Sequence, residues 1–205
     1  MKNRIVIVGY SGHSYGCIEL ALSLNIIIDG YYDIEEKSYN PYNLNYLGKE
    51  ASIKTNHFPF ISIGNNRIRK KIFENFSKNK IDLETILIHP KSIISNSSKI
   101  KKQTFVSAGA IICSHVNIGL SCIINTGAIL EHESKIGDFT HIGPGSVLAG
   151  NVIIGENCMI GANSTIKEGV KIGNNVIVGA GSVILNDISS NLVVVGNPGK
   201  KLKIN

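Results

Sequence analysis

Tryptophan is absent from the 205 residues, proline occurs five times, methionine twice, and aromatic residues make up only 6%. A core of large rings is thereby excluded, and aliphatic residues within the 43% hydrophobic fraction have to supply it. The four cysteines, Cys17, Cys113, Cys122 and Cys158, contain no Cys-x-x-Cys pair. That argues against a disulfide framework and for reduced, packed thiols. No run of about 20 apolar residues occurs, and Met1–Gly9 reads as a short strand rather than a cleavable leader, so a cytoplasmic protein without membrane contact is expected. The net charge of +6 is spread along the chain, densest at Arg67–Lys71 and Lys99–Lys102, with no aromatic residues interleaved. Nucleic acid is therefore not the expected partner, whereas a phosphorylated small molecule suits the basic balance.

What is present is a period of six. Stepping by six from Ile88 to Ile184 meets only Ile, Val or Leu, and a second column four residues later, from Ser92 to Ile188, is almost entirely small or β-branched. Glycine follows the aliphatic residue at Gly119, Gly137, Gly143, Gly155, Gly161, Gly173 and Gly179, where it is expected to free the backbone to turn. Six matches neither a 3.6-residue helix nor simple alternation, so the chain makes short strands joined by regular corners. Three strands close one triangular coil, the seventeen hexads give between five and six coils, and the aliphatic column stacks inward at about 4.8 Å per coil.

Ahead of the repeat, Arg4–Val8 reads as a buried strand running into Gly9-Tyr10-Ser11-Gly12-His13 and an apolar helix to about Leu24. A second strand, Ile26–Tyr32, ends at Asp33, whose carboxylate could accept from a ribose or base. A third, Phe58–Ile63, leads into Gly64-Asn65-Asn66 and a helix with Arg67 and Arg69. Strand, glycine turn and helix N-terminus together suit an anion. The spacing is not Gly-x-Gly-x-x-Gly, which argues against NAD. Residues 1–82 are read as a Rossmann-like nucleotide-sugar-binding domain and 83–205 as the repeat domain with a C-terminal tail.

Gly-x-Ser-Gly-His at Gly9–His13, Ile-Gly-Asn-Asn at Ile63–Asn66, and Asn125-Thr126-Gly127 followed by Glu131-His132-Glu133 resemble the hexapeptide-repeat sugar acetyltransferases of the NeuD/PglD type, over essentially the whole chain. One departure is Tyr15, where relatives often carry Lys. The resemblance implies a left-handed parallel β-helix behind the small α/β domain, acetyl-CoA as co-substrate, and a homotrimer with active sites between subunits. It also implies a nucleotide-activated amino sugar as acceptor, with a UDP-linked 4-amino-4,6-dideoxyhexose for surface-glycan synthesis as the first candidate. O-acetylation of a sialic-acid-type sugar and a noncatalytic sugar-nucleotide-binding subunit stand as alternatives.

The candidate catalytic residues are His132 as general base, Glu133 orienting its ring, and His141. The two histidines are nine residues apart, half of an eighteen-residue coil, and both are expected to face outward where a substrate can reach. The resemblance points to the Gly150 N–H for the thioester carbonyl and to His141, Gly150, Ala162, Ala180 and Lys200 for coenzyme A. Gly9, Ser11, Gly12, His13, Asp33, Gly64, Asn65, Asn66 and Arg69 are the candidate nucleotide-sugar residues. A metal site of His115, His132 and His141 is not favoured, because no two of these histidines are five residues apart as the ligand pair is in metal-binding relatives.

Overall fold

In the computed structural model, which describes residues 4–202, the aliphatic period becomes a left-handed prism. Seventeen two-residue strands, β4 (Leu87–Ile88) to β20 (Val183–Ile184), lie on three parallel sheets, each strand pairing with the one eighteen residues away. The first face carries the rungs Leu87, Phe105, Ile123, His141, Met159 and Ile177 outward and is extended by β21 (Val193–Val195) and the antiparallel β22 (Lys200–Lys201). The second carries Ile93, Ile111, Ile129, Val147, Thr165 and Val183 outward, and the third Lys99, Asn117, Lys135, Ile153 and Lys171.

Inside, Val106 through Ile184 of the aliphatic column are at most 4% exposed, while Ile88, Ile94 and Ile100 at the open end are partly covered. The small column needs its polar atoms satisfied, since a buried unpaired hydroxyl costs about 1–3 kcal/mol. Most find a carbonyl fifteen residues ahead: Thr140 Oγ1 donates to Gly155 O at 2.8 Å, Ser146 Oγ to Gly161 O at 2.8 Å, Ser164 Oγ to Gly179 O at 3.0 Å, while Ser92 and Ser182 donate to carbonyls three residues back, His89 O and Gly179 O. Cys122 and Cys158 also reach fifteen residues ahead, through sulfur, to Gly137 O at 3.2 Å and Gly173 O at 3.0 Å. All four thiols are free.

The glycines after the aliphatic residues have a different cause from the expected one. None of the seven has a positive φ. The left-handed corner residue is another position of the hexad, held by Gly109, Gly127, Gly145, Gly169 and Gly181, by asparagine at 151, 157, 163 and 175, which tolerates that region, and by Gln103, His115, Ser121, Glu133 and Phe139. The expected glycines are instead places where successive coils touch. A Cβ on Gly137 would lie 2.5 Å from Glu156 N, and one on Gly161 2.4 Å from Ala180 N.

The front region is a three-stranded parallel sheet, order β2 (Ile27–Tyr32), β1 (Arg4–Val8), β3 (Pro59–Ile61), with helices α1 (Gly12–Ser23) and α2 (Asn66–Lys78). It sits on the first face, burying Leu87, Phe105 and Ile123 against Tyr10, Cys17 and Phe60. Gln103, a left-handed corner residue of the prism, satisfies the open edge of β3: its Oε1 accepts from Ile61 N at 3.0 Å and its Nε2 donates to Pro59 O at 2.8 Å. No helix among the described residues is long and apolar enough to cross a membrane.

These contacts rank two glycine substitutions. Gly137→Ala, with ordinary φ but no room, should cost about 3 kcal/mol or more. Gly127→Ala, with φ of +65° but open space around it, should cost about 1–2 kcal/mol. Thermal or urea unfolding of the two variants measures this, and the reverse order would contradict the close-approach account.

Candidate active site

The prism sorts the candidate residues by their place in the hexad. His132 stands at the corner between the second and third faces, following the strand Ile129–Leu130 and preceding Lys135–Ile136. Its side chain is 53% exposed, and Nδ1 lies 3.2 Å from Glu133 Oε2. A carboxylate only accepts, so the neutral ring carries its proton on Nδ1 and leaves the Nε2 lone pair free. Glu133 reaches this position from a left-handed backbone, φ 62°.

One coil further on is Gly150. A Cβ there would lie 2.5 Å from Cε1 and 2.6 Å from Nε2 of His132, so the ring rests directly over its Cα. The Gly150 carbonyl accepts from Gly169 N at 3.0 Å, whereas its N–H has no acceptor among the described residues. A proton acceptor and an uncommitted backbone donor therefore share one corner.

His141 is not beside them. Half a coil in sequence is the far side of a triangular prism in space, and His141 lies on the first face, opposite the His132 corner. Nor is it open to solvent as expected: it points out of the prism but under the front region, and is only 9% exposed. Asn125 Nδ2 donates to its Nε2 at 3.2 Å, an orientation supported by Asn125 Oδ1 accepting from Thr126 N at 2.8 Å. The Nδ1 atom is buried without a partner. His13 faces it with ring centroids 6.4 Å apart and packs edge-on against Phe105. Burial, then the Arg69 charge, lowers His13 to about 4, and burial, Arg69 and His13 lower His141 to about 3. Both rings are neutral at physiological pH. Asn125 carries a role that the sequence motif contained but did not assign.

Arg69 requires a correction. It was expected to meet substrate, yet it is 1% exposed and every donor is spent on protein: Nε to Ser121 O, Nη1 to Ile63 O and Gly64 O, Nη2 to Asn66 Oδ1 and Phe139 O, at 2.8–3.1 Å. Its neighbours are also partly committed. Asn65 Oδ1 caps α2 by accepting from Ile68 N, and Asn66 Nδ2 donates to Cys158 O of the prism. What this turn leaves exposed is the rim of a groove of about 450 Å³, with Gly64, Asn65, Asn66 and Arg67 on one side and Asn157, Met159, Asn175 and Ile177 on the other. Met159 follows His141 on the first face, so the groove begins where the buried imidazole pair ends.

The strand–glycine turn–helix form is present. Gly9 has φ +87°, and a Cβ on it would overlap Ile63. Asp33 Oδ2 accepts from Tyr10 N at 2.8 Å, which commits that oxygen to holding the turn. Ser14 Oγ bridges Ser11 N and O, leaving Ser11 and Gly12 exposed at the head of α1, whose first turn holds no acidic residue. For coenzyme A, half-buried Ala162 and exposed Ala180 stack at the corner between the first and second faces, away from the Gly150 corner, and Lys200 is exposed in β22. One chain does not bring these three positions together with Gly150. No cluster of three metal-ligating side chains occurs among the described residues.

Residues 4–76 match the family described as PglD N-terminal domain, and residues 133–168 and 151–186 match bacterial transferase hexapeptide (six repeats). Among solved structures, the acetyltransferase domain of PglB from Neisseria gonorrhoeae, in complex with acetyl coenzyme A, is 31% identical with a TM-score of 0.91, covering 98% of this chain and 100% of that one. PerB from Caulobacter crescentus, in complex with CoA and GDP-perosamine, is 29% identical with a TM-score of 0.90 over 97% of each chain. WeeI from Acinetobacter baumannii, 19% identical with a TM-score of 0.84 over 97% of this chain and 100% of that one, shares the fold. With the motifs at Gly9–His13, Ile63–Asn66 and Glu131–Glu133 in place on that fold, the chain belongs to the PglD-type hexapeptide-repeat sugar acetyltransferases.

Proposed function

We propose that the protein transfers the acetyl group of acetyl-CoA to the amino group of a nucleotide-linked amino sugar, a UDP-4-amino-4,6-dideoxyhexose being the best candidate. The observation that carries this reading is the His132 ring, oriented by Glu133 and lying over the free N–H of Gly150. The neutral amine attacks the thioester carbonyl, a C–N bond forms and the C–S bond breaks. His132 Nε2 takes the proton the amine loses and returns it to the departing thiolate, while Glu133 stabilises the imidazolium. The Gly150 N–H steadies the oxyanion. The exposed glycine turn at the head of α1 suits the diphosphate. GDP-perosamine, the sugar bound to PerB, and acetyl-CoA, bound to the PglB domain, are the same two classes of molecule.

His132 and the groove beside His141 lie on opposite sides of one prism, so a site that uses both takes two copies. The faces suggest how copies meet. The first is covered by the front region from Leu87 to His141 and opens into the groove beyond it, and the third shows three lysines outward. The second presents a stripe of Ile93, Ile111, Ile129 and Val147, with Ile93 66% exposed. Packed around a threefold axis by this stripe, three copies bury it and bring one chain's His132 corner towards a neighbour's groove. The pantetheine arm then runs in the cleft between copies, with Gly150 on one side and Ala162 and Ala180 on the other. Four free thiols fit a reducing cytoplasm.

His132→Ala should lower kcat by about 100-fold or more with the acetyl-CoA KM little changed, measured by thiol release with UDP-amino sugars and, in parallel, free sialic acids. A loss below about tenfold removes His132 as the base. Gly150→Ala should leave the melting temperature nearly unchanged and cut kcat at least about tenfold by displacing the ring. Ile129→Glu places a charge in the stripe. It should convert a trimer to monomers in sedimentation and abolish transfer, whereas an active trimer would exclude the second face as the interface.

A further inference from the structure

Arg69 heads the wholly buried side chains, and its surroundings set it apart from an ordinary structural arginine. Its five hydrogen bonds go to neutral oxygens only, four of them backbone carbonyls. Burial pulls it down to about 10, so it is still a cation at neutral pH, held in the seam without a carboxylate in contact. An uncompensated buried charge is costly, and neutral groups can satisfy carbonyls without it. Its partners are also particular. Ile63 and Gly64 belong to the turn that walls the groove, while Ser121 and Phe139 are left-handed corner residues of successive coils, eighteen residues apart, behind it. The planar guanidinium fixes the spacing between the two walls in a way a flexible ammonium does not.

We infer that Arg69 is a positioning residue of the transfer reaction: it sets the distance between the Ile63–Asn66 wall and the coils that carry His141 and Met159, and it presents a fixed positive charge to the imidazoles of His13 and His141. This rests on the reading of the groove as part of the reaction site. Among the described residues, the titratable and charged groups that face the imidazole pair are Arg69 from α2, Cys17 from α1, whose Sγ lies 3.6 Å from His13 Nε2, and the two rings themselves. Cys122 from the prism acts on Arg69 in turn. Burial and Arg69 both lower His13 and His141, which keeps both rings uncharged while a substrate is handled. The sign for stability follows. With folded values near 4 and 3 against about 6.5 unfolded, the unfolded chain takes up protons that the folded chain refuses, so stability falls as pH drops from about 6.5 towards 4 and is unaffected above.

Two variants of the full chain separate spacing from charge. Arg69→Met removes both, and Arg69→Lys keeps the charge but cannot reach five acceptors on both walls. Histidine NMR titration of the native protein should show His13 and His141 still neutral at about pH 5. In Arg69→Met their midpoints should rise by about half a pH unit or more, and in Arg69→Lys they should stay low. Turnover per folded molecule should fall at least about tenfold in both. A folded Arg69→Met whose imidazoles do not move, or whose kcat/KM stays within about twofold of the native enzyme, overturns the inference. Should Arg69→Met fail to fold, Arg69→Lys decides: kcat/KM within about twofold of native overturns the spacing role, and imidazoles that titrate near their ordinary value overturn the charge role. A native enzyme that acetylates no nucleotide amino sugar sinks the reading of the groove instead, and the NMR titration still tests the charge.

Discussion

The eighteen-residue stacking of coils is the constraint from which the rest of the molecule follows. Because each strand pairs with the one exactly one coil away, position in the hexad decides whether a side chain is a core rung, an outward rung or a corner. The aliphatic column fills the interior, the small column spends most of its hydroxyls and thiols on carbonyls of the next coil, and glycine stands where coils touch. A frame with so few free parameters holds exposed chemistry rigidly. His132 rests over Gly150 because both occupy the same corner of adjacent coils, with only a hydrogen as the glycine's side chain.

The second organising feature is the seam between the front region and the first face. Phe105 and Ile123 give it an apolar floor, Gln103 completes the edge of β3, and Arg69 with Asn66 ties the Ile63–Asn66 turn to the corners at Ser121 and Phe139 and to the backbone of Cys158. Its consequence is electrostatic as well as mechanical. Two imidazoles and a guanidinium are enclosed together, and low dielectric with a neighbouring cation keeps the imidazoles neutral. A pair of histidines one of which is exposed beside a carboxylate and the other sealed beside an arginine have different chemistry despite sharing one motif.

Much of the fold was legible because a six-residue period has one economical packing. The strands and helices of the front region also lie within a few residues of their expected bounds, since apolar runs ended by Gly9 and Asn65 leave little choice. The site was legible in part. His132 with Glu133 are neighbours in sequence and so are neighbours in space, whatever the tertiary structure does. Arg69 was misread because a charged residue on an amphipathic helix is ordinarily solvated, and nothing local announces four carbonyls converging on it from elements as distant as Phe139. The glycines of the repeat were found for the wrong reason, because sequence marks where a side chain is missing without saying whether torsion or contact forbids it.

What the sequence by itself determined is periodic or local: the rungs, the corner spacing, the strand–glycine–helix turn, and the His–Glu pair, each fixed by interactions within one coil or one turn of helix. What only the tertiary structure decided is where a half-coil offset leads and what lies beneath the front region. Nine residues put His141 across the prism from His132, since half of a closed triangle is its opposite side, and burial of that face turned an apparent surface histidine and a helix arginine into a sealed, charged seam.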